Sequence, residues 1–100
     1  MREKNIENRI KAYLKLKGVW HVKYFANSFT PVGIPDILAC CNGRFLAIEV
    51  KNEKGTTSPL QDYNLEEIQK SGGVAIVVRP QNFDYFKLVV ETILENDKPL

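Results

Sequence analysis

The chain has 100 residues, 44% of them hydrophobic and 26% charged, with 14 Lys and Arg against 12 Asp and Glu. This is the composition of a single globular domain with one modest core, and it excludes a disordered, collagen-like or low-complexity chain. A lone histidine, His21, excludes a multi-His metal centre, and Cys40 and Cys41 are adjacent, without zinc-site spacing, so they read as small apolar residues of a reducing compartment.

Residues 3–17 carry Ile6, Ile10, Tyr13 and Leu14, the stripe of an amphipathic helix, and Gly18 stops it. Residues 1–25 hold seven basic and two acidic side chains, so a near-neutral total conceals a basic first quarter. Such a segment suits a polyanion partner or simply a solvated helix face. Charges run through residues 1–20, which does not read as a signal peptide, and no apolar run approaches the ~18–20 residues of a membrane span. The expectation is a cytoplasmic protein with no membrane association.

Residues 19–26 are β-branched and aromatic and predict a strand. Residues 27–35, with Pro31, Gly33 and Pro35, predict a loop. Residues 36–41 and 44–51 predict two strands joined at Asn42-Gly43, a dipeptide suited to the type I′ hairpin turn. After a polar loop at 52–57, Ser58-Pro59-Leu60-Gln61 predicts a helix opening, with Ser58 as N-cap, Pro59 at the first position and Gln61 closing a capping box. Gly72-Gly73 ends that helix. Residues 74–78 are an unbroken apolar run, which predicts a central strand covered on both faces. Asn82 can cap a last helix with the stripe Phe83, Phe86, Val90 and Ile93, and the tail from Asn96 is expected to fray. The third strand, the helix after it and the fourth strand form a crossover unit, so those strands should be parallel.

The hairpin carries the chemistry. With Asn42 and Gly43 in the turn, Cys41 faces Arg44 and Asp36 faces Glu49, with opposed Cβ atoms about 4.5–5.5 Å apart. Two like charges there repel, on a strand that otherwise belongs to the core, so something positive should hold them. One candidate is a divalent metal, whose hard ligands are carboxylates and backbone carbonyls. The other is Lys51, which projects from the same face as Glu49, ~6.6–6.8 Å along the strand. Carboxylates, a metal and a neighbouring ammonium together make a hydrolytic design. Gln61 either closes its capping box or serves this site. Glu7 either complements the helix dipole and pairs with Lys11, or points its carboxylate at the sheet from the margin of the apolar stripe.

Gly33-Ile34-Pro35-Asp36, then Glu49-Val50-Lys51, then Gly55, Ser58 and Gln61, resemble the PD-(D/E)XK nuclease signature, and more narrowly the virus-type replication-repair nuclease (VRR-NUC) domain. The resemblance covers nearly the whole chain and implies one nuclease domain over residues 1–100. Its fold would be α/β, a restriction-endonuclease-like core of order α-β-β-β-α-β-α with a small mixed sheet flanked by helices. It implies a Mg²⁺- or Mn²⁺-dependent phosphodiesterase acting on DNA, with no organic cofactor. Asp36 and Glu49 would be metal ligands with the Val50 carbonyl, Lys51 the catalytic lysine, Gln61 a residue ordering the site, and Glu7 the helical acid, a further ligand or water-binding group, unless Glu3 one turn earlier takes that role. Small members of this family resemble homodimeric phage enzymes that cut four-way junctions. Lys23 and Lys54 are candidate phosphate contacts. Other functions remain open: a flap or nicking nuclease, a non-catalytic nucleic-acid-binding module using the basic N-terminal helix, or a partner-binding α/β module.

Overall fold

Helix α1 (Glu3–Leu16) forms because Ile6, Ile10 and Leu14 recur on one face, and all three are fully buried. It ends in a Schellman motif, with Val19 N–H donating to the Leu14 carbonyl and Gly18 N–H to that of Lys15. Strand β1 (Trp20–Lys23) follows, then β2 (Ile37–Cys41) and β3 (Arg44–Val50), α2 (Pro59–Lys70), β4 (Val74–Val78), a 3-10 turn at Pro80–Asn82, and α3 (Phe83–Asn96). This computed structural model describes residues 1–96; of the tail expected to fray from Asn96, that residue ends α3 and residues 97–100 lie outside the described residues.

The sheet runs β1-β2-β3-β4, antiparallel through β3, with β4 parallel to β3 as the crossover requires. Flanked by helices, this mixed sheet is the expected α/β, restriction-endonuclease-like core. Asn42 (φ 53°) and Gly43 (φ 81°) both take left-handed backbone, as a type I′ turn demands, and Cys41 pairs with Arg44. Side chains alternate across the sheet. Ile37, Ala39, Cys41, Leu46, Ile48, Val50 and Val78 pack against α1 and against Phe83, Phe86, Val90 and Ile93 of α3. On the opposite face α2 covers only part of the sheet. There Trp20, Cys40 and Phe45 form one exposed row, with Val22 exposed in the next.

Three expectations need correction. β1 ends at Lys23 rather than residue 26. Tyr24 N–H still reaches the Asp36 carbonyl at 2.8 Å, but the register then offers Pro35, which has no N–H. β4 is not central: among the described strands it stands at the end of the sheet, with Val78 buried and the rest half-buried. Its apolar run reflects helices over its two faces, which an end strand can have as well as a central one. Asn82 does not cap α3 directly. Its amide carbonyl accepts from Arg79 N–H at 2.6 Å and its NH₂ donates to the Val77 carbonyl at 2.8 Å, tying the end of β4 to the start of α3.

Candidate active site

The segment before β2 delivers Asp36. Gly33 (φ 80°) lies so close to α2 that a Cβ there would sit 2.6 Å from Leu60 Cγ, and Asn64 Nδ2 donates to the Gly33 carbonyl at 3.0 Å. Pro35 is fully buried, and Asp36 emerges half-buried at the mouth of the β2–β3 ladder. Its Oδ2 accepts from Val50 N–H at 2.8 Å, in place of the backbone partner the hairpin would otherwise supply. The N–H and C=O of an extended residue point to the same neighbour. The Val50 carbonyl therefore opens toward Asp36 as well, opposite Pro35, which has no N–H to offer it.

Glu49 projects from β3 onto the face that carries α2 and is 2% exposed. Its Oε2 accepts from Gln61 Nε2 at 3.2 Å and lies 3.7 Å from Lys51 Nζ. Its Oε1 is buried and accepts no hydrogen bond among the described residues. Burial first, and then the neighbouring Asp36 carboxylate, push the Glu49 carboxyl up to about 8, with Lys51 opposing and Glu3 adding to the rise. Gln61 closes its capping box and also reaches Glu49. Its side-chain carbonyl accepts from Ser58 N–H at 2.9 Å, its own N–H donates to Ser58 Oγ at 3.2 Å, and its NH₂ group is thereby left facing Glu49.

Glu7 does turn toward the sheet and is 6% exposed, but it stays apart from the acid pair. Lys23 Nζ is 2.8 Å from Glu7 Oε1, and Lys11 and Lys4 stand at 3.2 and 3.4 Å from Oε2. Burial alone would raise the Glu7 carboxyl; the ammonium groups of Lys23 and Lys11 override it and hold it at about 2. Among the described residues no group of three His, Cys, Asp or Glu side chains is placed to share an ion. Glu7, the helical acid that the resemblance implies, thus sits within a cage of three lysines. The ammonium of Lys23, a candidate phosphate contact, bridges Glu7 and, at 3.5 Å, Asp36 Oδ1. Lys54 is exposed in the loop after Lys51.

Three supporting residues escaped the sequence reading. Asn52 Oδ1 accepts from Lys54 N–H and Gly55 N–H at 3.0 and 2.6 Å, an Asx turn that the run Asn-x-x-Gly could have suggested. Arg79 Nη2 donates to the Gly55 carbonyl at 2.8 Å, and Asn64 pins Gly33. No local pattern marks either of these two, since each acts across more than twenty residues.

Glu7→Gln is expected to lower stability at neutral pH by about 1.5–3 kcal/mol, since hydrogen bonds to charged groups are lost around a half-buried Lys23. A carboxyl held low in the folded state stabilises above its unfolded value, and that contribution disappears as pH falls from about 4.5 toward about 2. Thermal melts from pH 6 to pH 2 should show the wild-type advantage over Glu7→Gln shrinking through this window.

A buried glutamate facing a half-buried aspartate at the end of a hairpin, a lysine two residues on and a glutamine clamp, set in this mixed sheet, define a PD-(D/E)XK-type nuclease. The family model of the archaeal Holliday junction resolvases (Hjc) matches residues 1–97, and the chain belongs to that family. No curated protein matches the chain.

Proposed function

We infer that the chain is a Mg²⁺- or Mn²⁺-dependent endonuclease that cuts four-way DNA junctions and works as a homodimer. The observation that carries the reading is Glu49 Oε1, a buried carboxylate oxygen with no hydrogen-bond partner among the described residues, beside a second carboxylate. An oxygen so placed suits a hard divalent cation, which Asp36, Glu49 and the Val50 carbonyl would hold. Bound there, the ion would offset phosphate charge and acidify water. Lys51 places an ammonium where it can orient a hydrolytic water and stabilise charge on the phosphate. Gln61 fixes the Glu49 rotamer. Lys23, tethered by Glu7, sets the orientation of Asp36 and is a positioning residue.

The non-catalytic reading, binding through the basic N-terminal helix, is weakened because Lys4 and Lys11 face Glu7 and Lys17 pairs with Glu91 at 3.3 Å. The motif string resembling the VRR-NUC domain supports a small enzyme of phage type, one nuclease domain over residues 1–100, active in a cytoplasm. No helix among the described residues is long and apolar enough to cross a membrane. Incubating the protein with junction, flap, nicked and linear DNA, with Mg²⁺, Mn²⁺ or chelator, tests the reading. Junctions should be cut preferentially and only with divalent ion, and Asp36→Asn should stop cutting. Chelator-resistant cutting, or a fully active Asp36→Asn, would overturn it, and a preference for flaps or nicks would move the substrate assignment.

For the homodimer, the exposed row of Trp20, Cys40 and Phe45 is the surface we favour over the exposed Tyr85 and Leu88 of α3. A contiguous apolar strip on an open sheet face is the kind of surface that a second copy covers. Trp20→Glu should shift the mass measured by light scattering to that of one chain. An unchanged mass would move the interface elsewhere.

A further inference from the structure

The connection from β1 to β2 is unusual for a loop beside charged residues. Phe25 is 77% exposed, Phe29 93% and Val32 63%. Surface connections are ordinarily polar, and free aromatic rings tend to collapse onto the nearest apolar surface. Here the backbone that carries Phe29 is held in a hydrogen-bonded turn. Phe29 N–H donates to Asn27 Oδ1 at 2.8 Å, Asn27 N–H donates to Thr30 Oγ1 at 2.8 Å, and Thr30 N–H returns to the Asn27 carbonyl at 3.3 Å. Farther along, Tyr24 Oη donates to the Pro31 carbonyl at 2.9 Å, closing the loop on its own stem. That stem is fixed to the acid pair, because Tyr24 N–H holds the Asp36 carbonyl at 2.8 Å.

The result is an exposed ring on a hydrogen-bonded turn, presented to solvent from the same end of the sheet as Asp36. A phenyl ring offers no hydrogen bond; what it can recognise is a flat apolar surface. Next to a site for phosphodiesters, the matching surface is a nucleobase. Bases within continuous duplex are already stacked on both sides, whereas those flanking a branch point are not, or can be unstacked at small cost.

We propose that Phe29, together with Phe25, is a stacking platform for the bases at a DNA branch point, and so a determinant of junction over linear substrate. The proposal rests on the DNA-cutting reading above. The test uses the full chain in chelator, a four-way junction with 2-aminopurine at the branch, and linear duplex of the same sequence. Wild type should change the 2-aminopurine fluorescence on binding. Phe29→Ala should abolish that change and lower the ratio of junction to duplex affinity about 5- to 100-fold, the value of one lost base–aromatic stack. Phe29→Trp should restore both. An unchanged ratio in Phe29→Ala overturns the platform while leaving the nuclease intact. A changed sedimentation coefficient in that variant also overturns it, by placing Phe29 in a contact between copies. If wild type binds no DNA and cuts none with Mg²⁺ or Mn²⁺, the nuclease reading falls and takes the platform with it.

Discussion

Glu49→Gln should make the ion-free protein more stable and leave it unable to cut DNA. The variant keeps the shape and a hydrogen-bonding group for Gln61 while removing a charge that is 2% exposed and faces Asp36. The sign follows from linkage. A carboxyl raised to about 8 in the folded protein contributes fully only below its unfolded value near 4.5, and that contribution drains away as pH climbs through the window to about 8. At pH 8 the variant should therefore gain about 1–2 kcal/mol, or about 5–10 °C in midpoint for a chain of this size. Mg²⁺ should raise the midpoint of wild type and not that of the variant. A Glu49→Gln protein less stable than wild type at pH 8 in chelator would contradict the crowding of two acids.

Lys51→Ala should slow junction cutting by about 10²–10³-fold, with the loss in kcat rather than KM, as for removal of one group that acts on charge developing in the transition state. Lys51→Arg should not rescue it, since a planar guanidinium cannot take the place of a compact ammonium 3.7 Å from Glu49 Oε2. A milder effect should come from Gly55→Ala. A Cβ there would stand 3.3 Å from Lys51 Cδ and 3.2 Å from Asn52 Oδ1, so it presses on the lysine stem rather than removing its charge. Single-turnover rates for the three variants give the ranking, and a Lys51→Ala rate near wild type would remove the lysine from the chemistry.

The parts of this site set by short-range rules were legible in the chain. Asn42-Gly43 sets the hairpin register, and that register brings Asp36 and Glu49 together. Ser58, Pro59 and Gln61 announced the start of α2 to the residue. The failures arose where a long-range partner decides. Whether an apolar strand such as Val74–Val78 is central or terminal depends on what else pairs with its backbone, and side-chain pattern carries no information on that. Long-range partners also set the surroundings of Glu7. Its place on the edge of the α1 stripe was readable, but its capture by Lys23, sixteen residues away on another element, was not. Lys23 in turn looked like a surface lysine, because a sequence does not reveal which cations lie beside buried acids.

The double engagement of Gln61 has a kinetic consequence. One amide group both starts a helix and grips Glu49, so the first turn of α2 and the readiness of the acids rise and fall as one unit. Opening that turn, even briefly, would release the carboxylate, while anything that fastens the carboxylate would hold the turn shut. Amide hydrogens near Ser58 and Gln61 would then act as reporters of events at Glu49, and a change at Ser58, a residue with no part in the chemistry, would be felt there.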